Sequence, residues 1–209
     1  MAHNSCRHIS LVVIYIQMRI SGGTAKGRRT ATKRLLTENS EGERLRPTSS
    51  KVREALFDIL RNKIEGASFV DLYAGTGTVG LEALSRGAGS SVFVEPDELR
   101  IRTIKNNVLE LRFIEQALVA KGRAYEFLQK ASSENDSYDI FFIDPPYDSG
   151  EIEKVLPLLG EKGLVNEDGV VIVEHFFKRQ VPEKAGRLKM KRSYRYGDTM
   201  LTIYRKVEI

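Results

Sequence analysis

Two short segments of this sequence carry residue types that could perform group transfer. The first is Asp144-Pro145-Pro146-Tyr147, which follows an apolar run. Consecutive prolines have fixed φ angles, so they hold the carboxylate of Asp144 and the carbonyl of Pro145 in defined directions. This pair of acceptors suits an –NH₂ group, which has two N–H donors. Tyr147 offers an aromatic face on which a displaced base can stack. We therefore predict that these four residues form a catalytic site acting on an exocyclic amine.

The second segment is residues 69–80, in which an apolar run leads through glycines into a helical pattern. Gly75 and Gly77 would allow backbone N–H groups to approach a ligand closely, and Gly80 would let the helix lie close to the strand. The same spacing fits a dinucleotide site, so the glycines alone do not choose a cofactor. Asp71 places a carboxylate beside the loop, which suits a ligand with an amino group better than a pyrophosphate.

An acidic residue at the end of the next predicted strand favours a nucleoside ligand. Glu95 lies about 20 residues after Gly75, where a carboxylate can bind a ribose diol. Together these features are similar to the S-adenosylmethionine (SAM) site of Rossmann-like methyltransferases. The candidate cofactor-binding residues around the first two strand ends are Asp71, Tyr73, Ala74, Gly75, Gly77, Glu95 and Pro96.

The elements that must position these segments alternate between strands and helices. A hydroxyl at residues 48–50 can cap a helix that follows, and Gly87 can end the next one. Strands are predicted near residues 69–71, 91–95, 118–120, 138–143, 169–174, 188–195 and 199–205, with helices at 52–64, 81–86, 97–111, 124–130 and 151–161. Residues 132–137 are predicted to form a polar loop. This order is typical of an α/β domain with a mostly parallel sheet, closed by an antiparallel pair.

The composition indicates a folded protein with a basic surface. The chain has 209 residues and a net charge of +5, which favours a polyanionic partner. Its single cysteine, Cys6, excludes an internal disulfide and a cysteine-based zinc site, and argues against cytosine-C5 methylation, which needs a cysteine nucleophile. We expect a reducing, cytoplasmic setting and no metal. The apolar run at residues 9–16 is too short to span a bilayer, so no membrane is expected as a partner.

The N-terminal quarter is the most basic part of the chain. We divide the sequence into an extension of unknown role (1–17), a basic hairpin (18–47) and a catalytic domain (48–209). Glycines at positions 22, 23 and 27 divide the hairpin and would bring its backbone close to a phosphate chain. A solvated, charged surface hairpin is the alternative. Beside a catalytic domain we favour RNA binding through Arg28, Arg29, Arg34 and Arg46.

The assembled motifs resemble those of the bacterial small-subunit (16S) ribosomal RNA guanine-N2 methyltransferases. The match extends from residue 19 to about residue 206 and rests on the blocks Arg19-Ile20-Ser21-Gly22, Arg46-Pro47-Thr48 with residues 52–57, residues 71–88, and Asp144-Pro145-Pro146-Tyr147. The resemblance implies a seven-stranded, Rossmann-like, mostly parallel sheet with helices on both faces. It also implies SAM as methyl donor and an RNA guanine as acceptor, in naked ribosomal RNA or in an assembled or assembling subunit. A monomer is the expected state.

One position departs from the pattern of this family. Such methyltransferases usually place Asp or Asn after the third strand to contact adenine, whereas Gly122-Arg123-Ala124 stands here. Backbone N–H groups could substitute for that side chain, and we keep Arg123 and Ala124 among the expected cofactor-binding residues.

Three other functions remain open from the sequence. A DNA adenine-N6 or cytosine-N4 methyltransferase would use the same Asp-Pro-Pro-Tyr segment, but it would carry a larger target-recognition segment. A protein-glutamine methyltransferase would leave the basic N-terminal region unexplained. A non-enzymatic RNA-binding protein would leave residues 144–147 without a reason.

Overall fold

A computed structural model describes residues 12–36, 49–146 and 149–207 of the chain, with only the backbone described at 12–17 and 31–36. Cys6, Arg46 and Tyr147, which the sequence analysis singled out, lie outside the described residues. The strands are β1 (Val12–Arg19), β2 (Arg29–Leu36), β3 (Ser68–Asp71), β4 (Ser90–Glu95), β5 (Ala117–Lys121), β6 (Tyr138–Ile143), β7 (Val165–Phe176), β8 (Lys184–Ala185), β9 (Leu188–Tyr196) and β10 (Thr199–Lys206). The helices are α1 (Ser50–Ile59), α2 (Thr78–Ser85), α3 (Glu98–Leu111), α4 (Ala124–Glu134) and α5 (Glu151–Glu161), with a 3₁₀ turn at Ile114–Gln116.

An eight-stranded sheet in the order β5-β4-β3-β6-β7-β10-β9-β8 forms the centre of the molecule. Strands β5, β4, β3, β6 and β7 are parallel, and β10, β9 and β8 follow antiparallel to their neighbours. The expected Rossmann-like, mostly parallel sheet is confirmed. The additional strand is the two-residue β8, which pairs with the start of β9 and is too short to leave a hydrophobic pattern.

The central strands are apolar because both faces of the sheet are covered. Phe69 and Phe142 point into one buried cluster with α1, α2 and α3, whereas Val70 and Phe141 point into a second cluster with α4 and α5. Side chains of consecutive strand residues lie on opposite faces, so a strand covered on both faces reads as a continuous apolar run. No helix among the described residues is long and apolar enough to cross a bilayer.

Three predicted boundaries are wrong, while the predicted helix cap is confirmed. Helix α1 ends at Ile59, before the predicted residue 64. Ser49 Oγ accepts a hydrogen bond from the Val52 N–H at 3.2 Å, so a hydroxyl does cap α1. The polar loop predicted at 132–137 begins later, because α4 continues to Glu134 and ends at Asn135, which has a φ of 59°. Polar residues on the exposed side of a helix resemble a loop in sequence. Strand β7 begins at Val165, before the predicted residue 169.

The predicted basic hairpin is present, but two of its three glycines, Gly22 and Gly23, have a different role from the expected one. Strand β1 runs through the expected boundary between residues 17 and 18 and pairs with β2 along its whole length. A Cβ on Gly23 would lie 1.7 Å from the Ser85 carbonyl oxygen, and one on Gly22 would lie 2.5 Å from the Arg86 guanidinium. These glycines therefore bring the hairpin backbone against the end of α2 rather than toward a phosphate chain.

A buried charged network joins the hairpin to α1 and α2. Glu82 on α2 is fully buried and accepts hydrogen bonds from Ser21 N (2.8 Å), Ser21 Oγ (2.7 Å), Arg53 Nε (3.3 Å) and Arg86 Nε (2.8 Å). Arg53 on α1 is only 2% exposed and also donates to the Arg19 carbonyl at 2.8 Å. Three of the motif blocks named in the sequence analysis, residues 19–22, 52–57 and 71–88, therefore meet at this junction, which attaches the hairpin to the sheet domain.

Replacing Glu82 with Gln should destabilise the protein by about 3 kcal/mol or more, because it leaves the buried charge of Arg53 without a compensating carboxylate. Urea unfolding would measure the change. The matched control is Glu134→Gln, which alters an exposed pair with Lys130 at 3.8 Å and should cost less than about 0.5 kcal/mol. Similar losses in the two variants would contradict a stabilising role for the junction.

Candidate functional site

The two segments identified from the sequence lie side by side at one edge of the sheet. Strands β3 and β6 are parallel neighbours, with Asp71 paired to Phe142. The hydrogen bonding continues past the strand, since Leu72 N donates to the Phe142 carbonyl at 3.0 Å. The carboxyl ends of β3, β4 and β6 therefore bring Asp71, Glu95 and Asp144 to the same edge.

The turn between β3 and α2 is built from glycines with left-handed backbone. We refer to residues 73–77 as the glycine turn. Gly75 has a φ of 55° and Gly77, the N-cap of α2, a φ of 78°. A Cβ on Gly75 would meet no atom within 4 Å, so the space above this residue is open. A Cβ on Gly80 would lie 2.3 Å from the Phe93 ring, so this glycine permits close packing of α2, specifically on β4.

Glu95 holds the glycine turn through its backbone. The carboxylate is 3% exposed; its Oε2 accepts from Gly75 N and its Oε1 from Asp97 N, both at 2.9 Å. Arg100 Nη1 lies 3.6 Å from Oε1. Burial raises the pKa of Glu95, and these contacts oppose the shift. A carboxylate oxygen has two lone pairs, so each oxygen can accept a further hydrogen bond from a ligand hydroxyl.

Asp71 is the most strongly perturbed acid at this edge. Its Oδ2 accepts from Gly80 N in the first turn of α2 at 3.1 Å, so one oxygen caps the helix instead of facing the space above the turn. Burial raises the pKa of Asp71 to about 7; the Gly80 hydrogen bond lowers it, and the charges of Asp144 and Glu95 raise it further. Three carboxyl groups thus converge here, and a cation placed among them would be stabilised.

The tip of β6 faces the glycine turn. Asp144 is partly buried, Pro145 is buried and Pro146 is exposed. A further contact connects the glycine turn to α5, because the Tyr73 hydroxyl donates to Glu151 Oε2 in the first turn of that helix at 3.1 Å. Burial raises the pKa of Tyr73, and the negative charge of Glu151 adds to this, so the hydroxyl remains a donor. Sequence analysis placed Tyr73 in the cofactor site but missed Glu151, since the two residues are far apart in the chain.

The segment after β5 begins beside Glu95, as expected for an adenine contact, but one of its backbone donors is already hydrogen-bonded within the protein. Arg123 is the exposed N-cap of α4 and Ala124 is buried. The Arg123 N–H donates to Glu126 Oε2 at 3.1 Å, so its backbone donor already has a partner. A Glu three positions after the N-cap residue is typical of a capping box, so the Arg123–Glu126 contact could have been predicted from the sequence.

The arginines expected to bind RNA are distributed along the hairpin. Arg28 and Arg29 are exposed, and the Arg28 guanidinium donates to the Glu110 carbonyl near the end of α3. Arg34 lies further along β2, opposite Ile14. Met18 Sδ accepts from the Thr78 hydroxyl at the start of α2 at 3.4 Å, so the strands of the hairpin pass beside the glycine turn.

No group of three or more His, Cys, Asp or Glu side chains in the described part of the chain is arranged to hold a metal ion.

Comparison with known proteins places the chain in a family. The family model described as "Conserved hypothetical protein 95" matches residues 18–205. The chain belongs to this family. The family relationship expected from the sequence motifs is thereby confirmed, and the match spans both the hairpin loop and the whole sheet domain.

Relatives in this family include proteins assigned to ribosomal RNA methylation. YlbH of Bacillus subtilis, a protein assigned to the rRNA methyltransferases, is 34% identical over 189 residues, which are 90% of this chain and 99% of that protein. Ribosomal RNA small subunit methyltransferase D of Escherichia coli strain K12 is 32% identical over 191 residues, 91% of this chain and 90% of that protein. The structure of Escherichia coli YhhF, assigned to the methyltransferases, has a TM-score of 0.75 at 30% identity and covers 91% of this chain and 98% of its own. The fold is that of the α/β methyltransferases.

The raised pKa of Asp71 predicts that stability falls as the pH rises from 3.8, the ordinary pKa, to about 7. In this window the carboxyl ionises in the unfolded chain but stays protonated in the folded protein, so the proton balance favours unfolding as the pH rises. Outside the window both states have the same charge and this contribution is constant.

Urea unfolding from pH 4 to pH 8 would test this effect with Asp71→Asn, which keeps an acceptor for the Gly80 N–H. The wild type should lose stability relative to this variant as the pH rises, whereas Asp168→Asn, at an exposed position of β7, should track the wild type. A constant difference between wild type and Asp71→Asn across this range would contradict the assignment.

Proposed function

We propose that this protein transfers a methyl group from SAM to the exocyclic N2 amine of a guanine in small-subunit ribosomal RNA. The observation that supports it most is the adjacency of the glycine turn and the β6 tip, which follows from the pairing of β3 with β6 and its continuation in the Leu72–Phe142 backbone bond. A methyl donor over one segment and an amine acceptor at the other would be held within one crevice, which converts a bimolecular step into an effectively unimolecular one.

The residues at the glycine turn fit SAM. The open space at Gly75 admits a ligand close to the backbone, and Glu95 can accept from ribose hydroxyls. SAM carries a sulfonium and an ammonium group, and the carboxyl groups of Asp71, Glu95 and Asp144 form an environment suited to positive charge. When bound, SAM supplies an electrophilic methyl group. In this proposal Tyr73, Ala74, Gly77, Pro96, Arg123 and Ala124 complete the wall of the site.

Asp144 and Pro145 act on the acceptor amine in this proposal. The lone pair of an exocyclic amine is delocalised into the ring, which makes it a poor nucleophile. Hydrogen bonds from the amine to the Asp144 carboxylate and the Pro145 carbonyl would localise that lone pair. As positive charge develops on the nitrogen, the nearby carboxylate stabilises it, and Asp144 can accept the released proton. Tyr147 would stack on the displaced guanine, and Pro146 limits the conformations of this segment.

The choice of RNA as the acceptor is supported by the hairpin and by the relatives. The hairpin carries exposed arginines beside the glycine turn, and phosphate contacts position a nucleic acid without reading its sequence. The relative in Escherichia coli is named for methylation of small-subunit ribosomal RNA. A DNA adenine-N6 or cytosine-N4 methyltransferase would share the β6 tip. Identification of the methylated nucleoside therefore distinguishes the RNA function from the DNA function.

The proposal is tested by incubating the protein with tritiated SAM and, in separate reactions, ribosomal RNA, small ribosomal subunits or DNA, followed by nucleoside analysis. Label in N2-methylguanosine from ribosomal RNA or from the subunit is the expected result, and the comparison of these two substrates identifies the assembly stage. Label only in N6-methyladenosine or N4-methylcytidine from DNA would overturn the proposal.

Asp144→Ala should retain SAM binding but lose most methyl transfer, because the cofactor residues stay in place while the acceptor amine loses its carboxylate. Calorimetry would measure SAM binding, and tritium transfer would measure turnover, with an expected fall in kcat of at least about 100-fold. Asp168→Ala, which removes an exposed carboxylate from β7, is the control and should be active. Full activity of Asp144→Ala would reject its catalytic role.

Replacing Arg28, Arg29 and Arg34 together with Ala should weaken RNA binding and reduce its salt dependence. If each arginine contacts one phosphate, the slope of log affinity against log salt should decrease by about 2, at roughly 0.7 per contact. A control protein with Arg61, Lys162 and Lys184 replaced by Ala loses the same charge from exposed positions outside the hairpin.

Filter binding at several salt concentrations gives both slopes. Equal slopes for the hairpin and control variants would show that the hairpin arginines contact no phosphate. Because Arg28 also contacts α3, a variant with only Arg29 and Arg34 replaced separates charge from hairpin attachment.

A further inference from the structure

The end of β7 lies beside the proposed catalytic tip and carries two aromatic residues. Strand β7 is the parallel neighbour of β6, with Val173 paired to Ile143. Asp144 follows Ile143 directly, and β7 continues past Val173 to Phe176. The carboxyl end of β7 therefore reaches the edge that carries the β6 tip, and Phe176 and Phe177 emerge there.

These aromatic residues form a surface with two cations. The rings of Phe176 and Phe177 meet edge to face with centroids 4.8 Å apart. Arg195 on β9 places its guanidinium 3.8 Å from the centroid of the Phe177 ring, and Lys178 Nζ lies 5.6 Å from it. Phe176 is 37% exposed, although it is a large apolar residue. We call Phe176, Phe177, Lys178 and Arg195 the aromatic platform.

Backbone hydrogen bonds hold the platform in shape. Phe177 N donates to the Asp198 carbonyl at 2.9 Å, which ties the segment after β7 to the turn before β10. Arg195 Nε donates to the Gly197 carbonyl at 2.8 Å in the same turn. Arg179, just after the platform, is fixed by an ion pair with Glu153 on α5 at 2.7 Å. The rings are thus presented on a fixed scaffold, which lowers the entropy cost of stacking a ligand on them.

The platform is positively charged and continues into a basic strand. Lys178 and Arg195 are exposed, and neither forms an ion pair with a carboxylate within the described residues. Strand β9 has no acidic residue and carries four cations, namely Lys189, Lys191, Arg192 and Arg195. A scattered exposed apolar residue needs no explanation, but paired aromatic rings with cations beside the proposed catalytic tip have the composition of a surface that binds single-stranded nucleic acid.

We propose that the aromatic platform binds single-stranded RNA next to the target nucleotide, with a base stacked on Phe176 and phosphates near Lys178 and Arg195. This inference rests on the proposed function, because the methyl acceptor defines which nucleotides are neighbours. A target guanine drawn out of its stack must leave its neighbours unstacked, and an aromatic surface beside the pocket compensates for that loss. The platform is separate from the hairpin, which lies with α2 and α3 and contacts the phosphate chain from another side.

The test uses a fluorescein-labelled 12-nucleotide single-stranded RNA with one guanine, and measures its dissociation constant by anisotropy. Phe176→Ala should weaken binding about tenfold, since one base loses its stacking partner. Phe176→Trp should restore binding to within about twofold of the wild type, because a larger aromatic face remains. Phe176→Leu, which keeps apolar volume but has no aromatic face, should bind as weakly as the alanine variant.

The matched control is Leu118→Ala, which removes an exposed apolar side chain from β5 at the opposite side of the sheet and should bind as the wild type does. Equal affinity of all Phe176 variants, or equal affinity of the Trp and Leu variants, would overturn the inference. A loss seen only with ribosomal particles and not with the free RNA would indicate a protein contact and would also overturn it.

Tritium transfer measured on the same variants separates this inference from the proposed function. If the wild type methylates RNA and the Phe176 variants have the same RNA affinity and the same KM, the platform is rejected and the proposed function stands. Phe176-dependent RNA binding without any methyl transfer by the wild type would retain the platform as an RNA-binding surface and reject the proposed function.

Discussion

The parallel pairing of β3 with β6 is the constraint on which the rest of the structure depends. The chain builds β3, β4 and β5 outward on one side and then returns to place β6 on the other side of β3. The helices after β3 and β6 therefore leave on opposite faces of the sheet, and a crevice opens between the two turns at the point where the strand order reverses. A glycine turn and a proline tip that are more than 60 residues apart in the chain become neighbours in this way.

Two clusters of ionisable side chains, one around Asp71 and one around Glu82, organise the molecule near this crevice. At the crevice itself, burial and, to a smaller extent, the charges of Asp144 and Glu95 raise the pKa of Asp71, and the negative charges of these two neighbours would favour a cationic ligand. Away from it, Glu82 gathers Ser21, Arg53 and Arg86 and attaches the hairpin to the domain. The hairpin and the aromatic platform then border the same edge from different sides, so positive surface surrounds an acidic crevice. This arrangement suits a polyanion whose reacting group must meet a cationic donor.

The sequence predicted the elements and the two central motifs because these depend on local patterns. Apolar runs define β3 and β6, and glycine spacing defines the turn, regardless of what lies nearby. Contacts between distant residues were not predictable: Tyr73 and Glu151 are 78 positions apart, and Arg53 and Glu82 are 29 apart. Gly22 and Gly23 were misread because a glycine that approaches a helix and one that approaches a phosphate look the same in sequence. The Phe176-Phe177 pair acquires meaning only from the register of β7 on β6.

In the proposed reaction, donor and acceptor share one crevice between the glycine turn and the β6 tip. A crystal structure of the protein with S-adenosylhomocysteine tests it most directly, because this product occupies the donor site without reacting. We expect the ribose to lie at Glu95, the backbone of the glycine turn to contact the ligand, and the sulfur to face Asp144. A ligand bound elsewhere, or a crevice closed by protein side chains with Asp144 turned away, would contradict it.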